Sequence, residues 1–106
     1  MKSYFLQAVL LGAVATVAAS ADAAAGKATY TAKCQTCHGA DGVAKESMSK
    51  MLKVTIAPLG SKEVQAKSDA DLKKVITTGQ GKMKPIAGLA DAQVTDVVAY
   101  VRTLKK

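Results

Sequence analysis

The chain has 106 residues, a length that allows one small domain and no more. Its formal net charge is +7, so its surface suits an anionic membrane, an acidic protein partner or nucleic acid. With two Cys, the chain can form at most one disulfide. With three Tyr, one Phe and no Trp, it has few large side chains for a core, so a large bound group is expected to complete it.

The first segment, residues 1–23, has the features of a signal peptide. Lys2 precedes a nearly unbroken apolar run over 4–19, and the small residues SADAAA that follow offer several A-x-A cleavage sites. We expect cleavage near the end of this segment, within 19–25, leaving one domain over 24–106. The apolar run is short for a membrane span, and an uncleaved anchor is the alternative. Export argues against a nucleic-acid partner.

Three helices and one shorter turn are predicted in the remaining chain. The first runs from about Ala23 to Lys33 and consists of good helix formers. A short helical turn is expected around Met48 and Leu52. The next helix begins after Ser68, a capping residue, and stops at Gly79. The last has one apolar stripe with a 3.6-residue period, formed by Val94, Val97, Val98, Val101 and Leu104. No strand is predicted, so the fold class is all-α.

The residues with the clearest chemistry form the motif C-x-x-C-H: Cys34, Gln35, Thr36, Cys37 and His38. This motif is the signature of c-type haem attachment. Two thiols on one helical turn reach the two vinyl groups of a porphyrin and form thioethers, and the adjacent imidazole meets the iron. The sequence therefore predicts one covalently bound haem c, with Cys34 and Cys37 as its attachment points and His38 as an axial ligand.

Three other interpretations of this motif fit the sequence less well. A redox-active dithiol usually sits in a thioredoxin-like βαβ framework, which this chain lacks. A zinc site usually needs four ligands, and the chain has only two Cys and one His. A disulfide across one helical turn would close too small a loop to add much stability, and it would leave His38 unexplained.

With these residues, the sequence resembles the small class I cytochromes c over most of its mature length. The segment GQGKMKP at 79–85 is similar to the methionine-ligand loop of that family. Gly26 and Tyr30 resemble the first-helix pair that crosses the last helix, with Tyr100 as the aromatic partner. The resemblance implies the small cytochrome c fold, with about three to four helices wrapped around one haem.

The sixth iron ligand is predicted to be Met83. His38 is the only histidine, so two histidine ligands from one chain are excluded. Met83 lies in a loop bounded by two glycines and a proline, whereas Met48 and Met51 have the helical spacing typical of core packing. The alternatives are one of those two methionines, or a site that is open or bound by water or lysine.

The sequence departs from the family pattern at two places. Lys84 separates Met83 from Pro85, where many members have proline directly after the ligand. There is no Trp and only one Arg, Arg102, so the haem propionate contacts are not assigned. Pro58 resembles the residue whose carbonyl accepts a hydrogen bond from the axial histidine, the alternative being an ordinary turn proline.

The predicted function is one-electron transfer between redox partners, not enzymatic catalysis. The electron would pass by an outer-sphere route through a haem with His and Met ligands. A ligand-binding sensor or weak peroxidase with a displaceable sixth ligand is the alternative. The protein is expected to be soluble in the periplasm, with no stable membrane insertion after signal cleavage. Its redox partners are expected to have an acidic docking surface that faces Lys33, Lys82 and Lys84.

Overall fold

The computed structural model describes residues 21–106, which form six helices. They are α1 (Ala23–Lys33), α2 (Gln35–His38), α3 (Glu46–Leu52), α4 (Lys62–Gln65), α5 (Asp69–Thr78) and α6 (Asp91–Thr103). Within this range there is no strand, only an isolated bridge between Gln80 and Met83. Most of the expected signal peptide lies outside the described residues. The helices over 21–106 include none that is both long and apolar enough to cross a membrane.

The all-α prediction is confirmed, and the three main helices lie where the sequence predicted them. The Ser68 hydroxyl accepts a hydrogen bond from the Asp71 N–H at 3.0 Å, which caps α5, and Gly79 ends that helix. The apolar stripe of α6 is buried as expected. The helix count exceeds the predicted three to four because α2 and α4 are single turns of four residues each.

The first and last helices, α1 and α6, pack directly against each other. At Gly26 the two backbones are so close that a Cβ atom would clash with the Asp96 carbonyl oxygen. One turn further on, the rings of Tyr30 and Tyr100 pack with their centroids 5.1 Å apart. The predicted crossing of these helices is therefore present, with the glycine at the point of closest approach.

The core is small and consists mostly of aliphatic side chains from α5 and α6. Its eight buried apolar residues are Tyr30, Cys34, Leu72, Ile76, Val94, Val97, Val98 and Val101. Partly buried residues pack around them, namely Leu59, Val64, Ile86, Leu89 and Tyr100. No charged or polar residue of the described chain is buried. The core forms one wall of the cavity that holds the candidate site.

Candidate haem site

The C-x-x-C-H motif forms one helical turn directly after α1. The Cys34 N–H donates to the Tyr30 carbonyl at 2.8 Å, which joins the turn to α1, and the His38 N–H donates to the Cys34 carbonyl at 3.0 Å. These bonds place both cysteines and the histidine on one helical turn. Both thiols are free, and Cys34 is the more buried of the two. The geometry required for attachment at two points is therefore built into the backbone.

Met83 lies in a tight loop that follows α5. The Gln80 and Met83 backbones exchange two hydrogen bonds, each 2.9 Å long, which close a turn over residues 80–83. The N–H of Ile86 donates to the Ile76 carbonyl at 2.9 Å and so fastens the end of the loop to α5. Gly79 has a φ of 81°, and a Cβ there would meet the ring of Pro85 at 2.9 Å. Met83 is thus held at a fixed position although Lys84 separates it from Pro85.

A single cavity of about 700 Å³ brings together all four predicted site residues, Cys34, Cys37, His38 and Met83. Its walls are mainly apolar and include core residues of α5 and α6. A volume of this order is typical of sites that hold a cofactor-sized molecule. The two motifs, although 45 residues apart in sequence, therefore face one space.

The imidazole of His38 is largely enclosed by protein. Its Nδ1 atom is buried and has no hydrogen-bond partner among residues 21–106. Burial lowers the pKa of His38, because the charged imidazolium would lose its hydration. The ring is consequently held neutral, which is the form that binds a metal. Because Nδ1 is enclosed, Nε2 is the nitrogen available to an iron in the cavity.

Pro58 does not have the contact that the family resemblance implied. Its carbonyl accepts a hydrogen bond from the Ser61 N–H at 3.0 Å, as in an ordinary turn, and His38 is not its partner. The next residue, Leu59, lines the cavity. The segment around Pro58 therefore forms a turn and contributes apolar surface to the cavity.

The residues around the cavity fit a covalently bound haem. The cavity has apolar walls, a soft thioether donor, a neutral imidazole and two free thiols, which are the groups that c-type haem requires. Burial raises the pKa of the Cys34 thiol, with a smaller contribution from neighbouring Cys37. Within residues 21–106 no group of three or more His, Cys, Asp and Glu residues could hold a metal ion, as a zinc site would require.

The two other methionines of the domain have different environments. Met48, in α3, is partly buried and lines the same cavity as Met83. Met51, one turn further along, is 69% exposed and is absent from the cavity wall. The expectation of core packing at helical spacing is therefore wrong for Met51, because α3 places that side of the helix in solvent.

The single arginine has a structural role. The Arg102 guanidinium contacts the Asp69 carboxylate at 2.7 Å and donates to the carbonyls of Gln65 and Lys67 at 3.0 and 2.7 Å. The side chain of Gln65 in turn donates to the Leu59 carbonyl at 2.8 Å. Arg102 thus fastens the segment between α4 and α5 to α6, and it does not line the cavity.

Between α3 and α4, sequence analysis singled out only Pro58 and missed the apolar wall that this segment gives the cavity. The apolar residues of this wall are Val54, Ile56, Ala57 and Leu59. Their segment forms no helix and no strand, so it has no period by which the sequence could indicate burial. The composition of the segment, rich in aliphatic residues without charge from 54 to 60, was the available signal.

Fold and site together define a small all-α cytochrome of the c type, with haem c as its covalently bound cofactor. A family model described as cytochrome c oxidase, cbb3-type, subunit III matches residues 21–101. The chain belongs to this family of c-type cytochromes.

Curated relatives and a solved structure agree with this assignment. Cytochrome c-555 of Chlorobaculum tepidum is 40% identical, over 93% of this chain and 94% of its own. Cytochrome c6 of a Picosynechococcus species is 34% identical, over 91% of this chain and 90% of its own. The structure of the KustC0563 c-type cytochrome matches with a TM-score of 0.65 and 30% identity, covering 76% of this chain and 98% of that one.

Proposed function

We propose that this protein is an exported one-electron carrier of the periplasm, with its haem attached at Cys34 and Cys37 and its iron bound by His38 and Met83. The observation that carries the proposal is the single cavity that all four side chains line. The relatives, which are c-type cytochromes, support electron transfer as the role. The export step rests on the sequence of residues 1–23.

The residues of the site suit electron transfer, a reaction in which the protein and its ligands need to move little. When bound, haem c supplies an iron that alternates between the ferric and ferrous states. His38 and Met83 would bind the iron of this haem, and the hydrogen bonds between the Gln80 and Met83 backbones hold the Met83 backbone in place. A thioether ligand together with an imidazole would favour the ferrous state and so raise the reduction potential. The apolar part of the cavity wall would limit the access of water to the haem, which has the same effect.

The ligand set is tested by optical spectra of the haem-loaded protein and of Met83→Ala, each with and without carbon monoxide. The unmodified protein should be low-spin, show a methionine-to-iron band and ignore carbon monoxide, since no iron position is free. Met83→Ala should lose the band, bind carbon monoxide and have a lower reduction potential.

Met48→Ala is the matched control, because Met48 is the other methionine that lines the cavity. It should keep the methionine-to-iron band. If Met48→Ala loses the band and Met83→Ala keeps it, the assignment of Met83 is overturned. Carbon monoxide binding by the unmodified protein would instead support the sensor or peroxidase alternative, in which the sixth ligand is displaced.

The rim of the cavity carries an excess of positive charge that would attract an acidic redox partner. Four exposed lysines and one exposed glutamate line the cavity, namely Lys33, Lys67, Lys82, Lys84 and Glu63. Like-charged side chains around a cofactor edge steer an oppositely charged partner and orient it towards that edge. We therefore place the docking surface at this rim.

Charge reversal at Lys33, compared with Lys27, tests the docking surface. Both lysines are exposed on α1, but only Lys33 lines the cavity. Oxidation of the reduced protein by the anion hexacyanoferrate(III) should slow about threefold at low salt in Lys33→Glu, and less in Lys27→Glu. The difference should vanish at high ionic strength, where the charges are screened. Equal slowing in the two variants would contradict a localised docking surface.

A further inference from the structure

Asp22, the residue before α1, connects the start of the domain to the rest of the molecule. Its carboxylate accepts hydrogen bonds from the N–H groups of Ala24 and Ala25 at 2.9 and 3.1 Å, which caps α1. Its carbonyl accepts from the Gly26 N–H at 2.9 Å. Its own N–H donates to the Asp96 carboxylate of α6 at 2.8 Å. Asp22 is therefore part of the fold.

The preceding residue makes no such contribution. Ala21 is exposed, lies outside any helix and has no hydrogen bond to the described residues. Among the described residues, Asp22 is thus the first that contacts the folded domain.

Three A-x-A triplets offer cleavage sites in this part of the sequence, after Ala21, Ala23 or Ala25. Cleavage after Ala23 would remove the cap of α1 and its contact with Asp96. Cleavage after Ala25 would also remove the first residues of α1 and leave a charged terminus on Gly26, which is buried against α6. Only cleavage after Ala21 preserves every contact.

We propose that the signal peptide is removed by hydrolysis of the Ala21–Asp22 bond, so that the mature protein begins at Asp22. In this step water breaks the peptide bond, its oxygen joins the new carboxyl group of Ala21, and the Asp22 nitrogen becomes a free amine. The proposal rests on the export proposed above. It places the boundary two residues before the one expected at residue 23.

The amino group that cleavage creates at Asp22 lies beside a carboxylate of α6, which would stabilise its charge. At neutral pH the freed amine is largely an ammonium group, and its nitrogen lies 2.8 Å from a carboxylate oxygen of Asp96. A positive charge at a helix N-terminus is ordinarily unfavourable, but the Asp22 and Asp96 carboxylates offset it. Hydrolysis at this bond therefore converts an amide hydrogen bond into a charge-assisted one between α1 and α6.

The test is the intact mass and N-terminal sequence of the haem-loaded protein isolated from the periplasm, beside two leader variants. Ala19→Leu alters only the triplet that precedes Asp22. Ala23→Leu alters the triplets that end at 23 and 25 and leaves the first one intact. We expect a mature chain that begins at Asp22 in the unmodified protein and in Ala23→Leu. In Ala19→Leu that product should fall at least tenfold.

The outcomes separate this proposal from the export on which it rests. A mature chain that begins at Ala24 or Gly26, or a loss of processing in Ala23→Leu alone, overturns cleavage after Ala21 and leaves export intact. A haem-loaded protein that retains residues 1–21 overturns both.

Discussion

Tyr30 contacts both the C-x-x-C-H turn and α6. Its side chain is among the most completely buried of the described chain, at 1% exposure. Its hydroxyl donates to the Gly39 carbonyl at 2.5 Å, directly after the C-x-x-C-H turn, and its ring packs on Tyr100 of α6. One side chain thus fixes the attachment turn relative to both long helices.

Removal of this hydroxyl should lower the free energy of unfolding and change how that free energy depends on pH above pH 8. Tyr30→Phe leaves the Gly39 carbonyl with only a long bond of 3.4 Å from the Gly42 N–H, so the free energy of unfolding should fall by about 1–2 kcal/mol at pH 7. Burial, with smaller effects from nearby Cys34, Tyr100 and Asp41, raises the pKa of Tyr30 from 10.0 to about 12.

The sign of the alkaline effect follows from this shift. The folded state holds the Tyr30 hydroxyl proton more tightly than the unfolded state does. This difference contributes about 2–3 kcal/mol to the free energy of unfolding, a contribution that is complete below pH 10 and is lost as the pH rises towards 12. Urea unfolding between pH 8 and pH 12 should show this loss in the unmodified protein but not in Tyr30→Phe. Tyr100→Phe, the control, keeps the Tyr30 hydroxyl and should keep the loss. An equal alkaline loss in Tyr30→Phe would contradict the assignment to Tyr30.

At the scale of the elements, the crossing of α1 and α6 depends on Gly26. In a free helix, Gly to Ala is stabilising by about 1 kcal/mol. Here the added methyl group would clash with the Asp96 carbonyl of α6, so the two helices would have to separate. The cost of this clash should exceed the gain in helix propensity, so the substitution should lower the free energy of unfolding.

Gly26→Ala should therefore lower the free energy of unfolding of the haem-loaded protein by about 1–3 kcal/mol, as measured by urea denaturation. Ala28→Gly, at an exposed position of the same helix, is the control for propensity and should cost about 1 kcal/mol. If Gly26→Ala unfolds at a higher urea concentration than the unmodified protein, the close approach of the helices does not limit stability.

The sequence predicted the elements that have their own local signals. Ser68 and Gly79 bound α5 through capping, and the valine stripe defines α6 through its period, so both were predicted from the residues alone. The four-residue helix α4 was missed because one turn has no period. The cavity wall over 54–59 was missed because it has no regular structure.

The contacts of the site were harder to predict than its residues. The C-x-x-C-H motif and Met83 were identified, but nothing in the sequence indicated that Arg102 would contact Asp69 and the backbone before it, or that Tyr30 would donate to Gly39. Such contacts depend on the path of loops between elements. The resemblance likewise left two partners open for the Pro58 carbonyl, and in the structure this carbonyl accepts from the Ser61 N–H.

At the scale of the whole molecule, the protein interior consists of a thin core beside a large cavity. Eight buried apolar residues, four of them valines, adjoin a space of about 700 Å³. Ordering each residue of the backbone costs roughly 1–2 kcal/mol, and a core of this size offsets only part of that total. The cofactor therefore supplies a substantial share of the buried apolar surface.

The chain without haem should consequently be largely unfolded. Residues 22–106 produced without haem attachment, and the double variant Cys34→Ala/Cys37→Ala, should both show a far-UV circular dichroism spectrum close to that of a coil. Neither should show a cooperative thermal transition, whereas the haem-loaded protein should show one. A cooperative transition in haem-free residues 22–106 would mean that the helices pack without the cofactor.

The packing of α1 on α6 also makes the fold depend on the complete chain. Tyr30 and Val101 belong to one core although 71 positions separate them, so a polypeptide that lacks its last dozen residues cannot close that core. Closing so long a loop is entropically costly until the final contacts reward it. A premature stop codon near residue 94 would leave the attachment motif and the methionine loop intact, yet remove the helix on which their common enclosure depends.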